Sequence, residues 1–98
     1  MTVPIIENWT DIDGRVHALI SSTDVPGHVV VNIQVNRTKA VEGFADLLAT
    51  TVGTIISIYF AQEAVRQAGI VIGARIRCRI RRAGPQKIFV HPANIRVG

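Results

Sequence analysis

The chain is poor in several things that chemistry usually requires. It holds one cysteine, Cys78, which excludes an internal disulfide. Only 5% of its residues are aromatic, so any function that rests on stacking depends on a handful of rings. No apolar run approaches the roughly 18–20 residues of a spanning helix. The first residues, MTVPIIENWTD, lack the basic segment and apolar core of a secretory signal. With a lone cysteine, this places the expected compartment in the cytoplasm. The most informative absence is acidic: no Asp or Glu follows Glu63.

What is present is divided accordingly. The 98 residues carry a net charge of +4. Residues 1–63 hold three cations and all seven acids, whereas residues 64–98 hold eight cations and no acid. A positive field concentrated in one third of a chain attracts polyanions such as nucleic acid, an acidic membrane surface or an acidic protein. The length suggests one domain, 1–98, with one small core. An apolar content of 48% is high for so short a chain and fits a buried subunit interface as well as a core.

Patterning predicts five strands. Residues 1–11 read as an irregular lead-in whose Val3, Ile5, Ile6 and Trp9 pack onto the body. From Ile12 the period is two, which is that of a half-buried strand. Ile12, Gly14, Val16, Ala18 and Ile20 share one face; Asp13, Arg15, His17, Leu19 and Ser21 share the other. Gly14 marks a bulge or bend. SSTDVPG is a turn. In HVVVNIQVN, Val29, Val31, Ile33 and Val35 face inward, and an amide-rich set including Asn32 and Gln34 faces outward. AVEGFADLLAT is compatible with a short helix. GTIISIYFA is a third strand, with Ile56, Ile58 and Phe60 on one face and Ile55, Ser57 and Tyr59 on the other. AQEAVRQAG reads as a helix ending on Gly69, with a Glu63–Arg66 pair at i,i+3 spacing. Gly73 opens a fourth strand, residues 82–86 form a turn, and KIFVHPANIRV is a fifth strand broken or bulged at His91-Pro92.

This order, with a glycine inside the first strand and another opening the fourth, resembles an OB-fold domain over roughly residues 12–97. The resemblance implies an all-β fold: a small five-stranded Greek-key barrel with a short helix between strands 3 and 4. An SH3-like barrel or a mixed α+β sheet shares part of the pattern. OB domains commonly bind oligonucleotides, and sometimes oligosaccharides or proteins, on the face of strands 2 and 3 between the loops after strands 1 and 4. On this chain that face carries Asn32, Gln34, Ser57 and Tyr59, and the loops are 21–27 and 82–86. The resemblance also sets strand 4 beside strand 1, joining Arg15 and His17 to the arginines of strand 4.

The sharpest feature is GARIRCRIRRAGPQKIFV. Burying Ile76, Cys78 and Ile80 turns Arg75, Arg77, Arg79 and Arg81 outward, with Arg82 and Lys87 extending the row beyond the turn. Like charges two residues apart on a strand lie about 6.5–7 Å apart, inside a Debye length of about 8 Å. Two arrangements offset their repulsion. Carboxylates on strand 1, Asp11 and Asp13, can pair with them, which makes the row an ordinary polar face. A phosphate chain can also do so, and the planar guanidinium fork suits that role.

Tyr59 is the best stacking candidate, followed by Phe89 and Trp9, although rings in so small a barrel are more often core. His17, His28 and His91 have no metal-ligand spacing, so no metal site is expected. Cys78 alternates into the core without a histidine partner, no Gly-rich phosphate loop is present, and the carboxylates are scattered. The expectation is therefore a non-catalytic chain without a cofactor. Two functions remain open. One is a module for single-stranded DNA or RNA, held mainly through phosphates by Arg75, Arg77, Arg79, Arg81, Arg82, Lys87 and Arg15, with Tyr59, Asn32 and Gln34 beside them. The other is an interaction module that docks an acidic protein or assembles with itself.

Overall fold

A computed structural model describes residues 6–21 and 24–98. Five strands dominate: β1 (Thr10–Ser21), β2 (His28–Ala40), β3 (Ile55–Ala61), β4 (Arg75–Gly84) and β5 (Lys87–Val97). The one α-helix among the described residues, α1 (Gln62–Ala68), separates β3 from β4. The sheet closes in a ring in the order β1-β2-β3-β5-β4, with β4 returning to β1. Neighbours pair antiparallel, except that β3 meets β5 in parallel at Tyr59 and Phe89.

The alternation of apolar residues builds the core. Val31, Ile33 and Val35 of β2, Ile58 and Phe60 of β3, and Ile76, Cys78 and Ile80 of β4 are buried with Ile12 and Val16 of β1. These β-branched and aromatic residues suit a pleated, half-buried surface. Val65 and Ala68 of α1 pack against the same core. Gly69 ends the helix, its N–H returning to the carbonyls of Val65 and Arg66.

Two bulges shape the β1–β2 ladder. At the first, Asp13 pairs with Arg37 while Gly14 pairs with Val35, leaving Asn36 as the extra residue on β2. The strands approach closely here: a Cβ at Gly14 would lie 2.1 Å from the Gln34 carbonyl oxygen. At the second, His17 is extra on β1 between Val16 and Ala18. It inverts the expected faces beyond it. Leu19 packs onto the core and Ile20 is 51% exposed, the reverse of strict alternation.

Several other expectations change. The segment 40–50 is not an α-helix: Ala40 ends β2 and the rest winds through turns. The turns lead into a 3-10 turn at Ala49–Thr51, because Gly43 adopts φ 86°, which interrupts helical winding. Strand β4 runs on to Gly84, which pairs with Lys87, so the turn is only Pro85-Gln86. The lead-in ends early, with Asn8 bridging to Ala45 and β1 beginning at Thr10. Ile6 is 60% exposed and does not pack down. The expectations for Val3, Ile5, Ser22 and Thr23 lie outside the described residues. The bulge at His91-Pro92 is present: residues between Val90 and Ile95 are looped out opposite β4. No helix among the described residues is long and apolar enough to cross a membrane.

Candidate functional site

Outward side chains form rows across the strands, because register places them side by side. One row runs Ile20 (β1), Val30 (β2), Tyr59 (β3), Phe89 (β5) and Arg81 (β4). Tyr59 and Phe89 stack, with centroids 5.2 Å apart and planes at 25°. His28 meets Phe89 edge-on at 5.9 Å. The Lys87 ammonium lies 5.3 Å from the Tyr59 centroid. At the other end, Arg81 lies over Trp9 at 5.8 Å, and Trp9 tilts against His91 at 5.2 Å. Trp9, Tyr59 and Phe89 thus gather on the outer surface, each ring half-exposed, with a cation over Tyr59 and another over Trp9.

Asp24 tethers this surface. Its carboxylate accepts a 2.8 Å hydrogen bond from the Tyr59 hydroxyl and a 3.0 Å bond from the Lys87 ammonium. The first bond, with the nearby carboxylate charge, raises the Tyr59 hydroxyl above its ordinary value. The Lys87 ammonium is likewise raised, chiefly by its bond to Asp24. The adjacent row is polar. The Ser57 hydroxyl donates to Asn32 Oδ1 at 2.8 Å, so the Asn32 amide nitrogen keeps its donors. Gln34 stands exposed beyond it, opposite Ile55.

The arginine row itself is divided. Arg75 donates to both oxygens of Asp13 at 3.1 and 2.8 Å, and Arg79 to both of Asp11 at 2.8 and 3.2 Å. These two-pronged pairs hold β4 to β1. The Arg75 bond, aided by the charges of Arg75, Arg77 and Arg37 and opposed by partial burial, keeps the Asp13 carboxyl below its usual range. Arg15 donates to the Gly73 carbonyl at 3.0 Å. Arg77 makes no ion pair among the described residues. Arg82 leaves the row: it alternates to the other face of β4 from Arg81, and its Nε is buried without a hydrogen-bond partner among the described residues. Asn8 fastens the end of β4, donating to the Arg82 carbonyl at 2.9 Å and accepting from the Arg82 N–H at 2.8 Å.

The expected site residues therefore fall into separate places. Tyr59, Lys87 and Arg81 share the aromatic surface, Asn32 and Gln34 flank it, and Arg75, Arg77, Arg79 and Arg15 lie on the β1–β4 face. Sequence patterning missed Arg37, Lys39, Asn94 and Arg96, which border that face from β2 and β5. It also missed Asp24 and the contacts of His28 and His91 with rings. The two-residue period of Arg37 and Lys39 was a usable signal, but the bulge at Asn36 resets it. Cys78 lies beneath the β1–β4 face, and burial pushes its thiol up to about 12. Among the described residues no group of three or more His, Cys, Asp or Glu side chains could hold a metal ion.

Fold and surface together define a small all-β chain with an aromatic–cation surface on one side and a lattice of paired and unpaired charges on another. Comparison with protein-family models, curated proteins and solved structures found no match to this chain.

Proposed function

We propose that the chain is a non-catalytic OB-type module, a five-stranded Greek-key barrel, that binds single-stranded nucleic acid. The observation that carries this reading is the row Ile20–Val30–Tyr59–Phe89–Arg81, in which two adjacent rings are flanked by Arg81 in the row and by Lys87 over Tyr59. The strand order, the helix between β3 and β4, and a loop-borne Asp24 at the edge of the row support the OB reading. Bases stack on the half-exposed faces of Tyr59 and Phe89, and Trp9 extends the platform. The phosphates then lie toward Lys87 and Arg81, which accept them without regard to sequence. Asn32 and Gln34 offer amide groups to base edges or sugar hydroxyls. The arginines of the β1–β4 face contribute long-range attraction.

The test is a titration with unrelated single-stranded and duplex oligonucleotides at two salt concentrations, with the oligomeric state measured in parallel. Single strands should bind more tightly than duplex, and affinity should fall with salt by a log–log slope of about 0.7 per phosphate contact. A second reading draws on Val71 and Ile72, which stand 59% and 65% exposed. It makes the chain a self-assembling module. Salt-insensitive self-association without affinity for oligonucleotides would establish that reading and remove the first.

A further inference from the structure

On the β1–β4 face, four strands border an open basin of about 540 Å³. Register sets a second row across it: Arg37 (β2), Asp13 (β1), Arg77 (β4) and Arg96 (β5). Arg77 and Arg96 are directly opposed in an antiparallel pair, an arrangement of like charges that is unfavourable by itself. The chain has one other such pair nearby, Arg15 opposite Arg75, and there both charges are occupied. Arg15 turns to the Gly73 carbonyl, and Arg75 grips Asp13. Among the described residues neither Arg77 nor Arg96 makes an ion pair, and Arg77 feels the Asp13 charge only through space. Asp13, the nearest acid, is taken by Arg75, and Asp11 is taken by Arg79. Arg37 and Lys39 also make no ion pair among the described residues.

We propose that this basin binds a compact oligophosphate, held by the forks of Arg77 and Arg96 on the β4–β5 side, with Arg37 adding only long-range attraction from across β1. Arginine forks match phosphoryl oxygens in pairs, and an anion between Arg77 and Arg96 replaces repulsion with two charge-assisted contacts. Asn94, also on the basin's border, adds an amide donor. The ligand is short because Asp11 and Asp13 fence the β1 side and repel a polyanion that would continue across it. It carries no base that the site reads, because no aromatic ring lines the basin. This site is independent of the aromatic row and stands or falls separately from it.

Calorimetry with inorganic tripolyphosphate tests the inference. The unaltered chain should bind one equivalent, and Arg77→Ala and Arg96→Ala should each weaken binding about tenfold, as expected for loss of a charged hydrogen-bonding partner. Arg66→Ala, an equal charge change on the exposed helix, should leave binding unchanged. Amide shifts in the unaltered chain provide a readout that needs no variant, and they should centre on residues 77, 94 and 96. The inference is overturned by the absence of saturable binding, by equal weakening in Arg66→Ala, or by shifts centred on Lys87 and Phe89.

Discussion

The β1–β4 face and the β3–β5 seam are made by the same rule and end in different chemical states. On both, strict alternation over a buried strand turns side chains to solvent. On the β1–β4 face the neighbouring strand supplies Asp11 and Asp13, so Arg79 and Arg75 are largely consumed in cross-strand pairs. At the seam the neighbours are rings, and the cations Lys87 and Arg81 lie beside Tyr59 and Trp9. The comparison teaches that an outward charge is available to a ligand only when the adjacent strand does not satisfy it. A run of arginines on one face therefore does not by itself mark a site, since two of its members are paired to β1.

The largest expected effect concerns what lies under the paired face. If the ion pairs and the ring hold β4 against β1, Cys78 is reached only by opening the structure. Its native-state labelling should be at least about a thousandfold slower than in denaturant, in line with the stability of small domains. Labelling as fast as in denaturant would mean that β4 presents its other face and that the comparison is inverted.

Next is the seam. Phe89→Ala should weaken single-strand binding roughly 5- to 100-fold, the range for losing one stacked base, with little change in the salt slope. Arg79→Ala should do much less, because Arg79 is committed to Asp11. Equal losses in the two variants would erase the distinction between the regions.

A smaller gain is expected from Asp24→Asn. Asp24 engages both Lys87 and the Tyr59 hydroxyl, so the neutral variant releases the cation and removes a negative charge from the path of a phosphate. Affinity should rise up to about fivefold, the scale of a surface ion pair. An oligonucleotide titration that shows weaker binding would mean that Asp24 holds the platform in its binding shape.

The smallest effect separates the regions by pH. The folded Asp13 carboxyl lies below its ordinary value, chiefly through the Arg75 hydrogen bond. A depressed carboxyl stabilises the fold above its unfolded value of about 3.9, and that contribution is lost as the pH falls through the lower folded value. Urea midpoints of the unaltered chain should therefore decline slightly more than those of Asp13→Asn between pH 5 and pH 3, numbers set by that unfolded value. Identical declines would show that the pair contributes nothing to stability.

Period two was legible along most of the chain and correctly placed Val31, Ile33, Val35, Ile58, Phe60, Ile76, Cys78 and Ile80 inside. Good helix formers before Gly69 marked α1, and Gly14 marked a bulge. The candidate acids for the arginine row, Asp11 and Asp13, were also legible, but their pairing was not. It depends on β1 and β4 lying side by side in one register, 62 to 68 residues apart along the chain. The short helix with which residues 40–50 are compatible is absent because a local propensity was read without the backbone requirement at Gly43.

The amino-acid order by itself determined which side chains alternate into a core, where charge concentrates and where α1 stops, because these follow from local geometry. The tertiary structure decided which outward groups meet. An extra residue at Asn36 turns Arg37 and Lys39 to the basin, and an extra residue at His17 turns Ile20 to the surface. Ring closure brings Tyr59 to Phe89. Each of these is a matter of register between strands distant in the chain, and a shift of one residue exchanges the two faces of a strand.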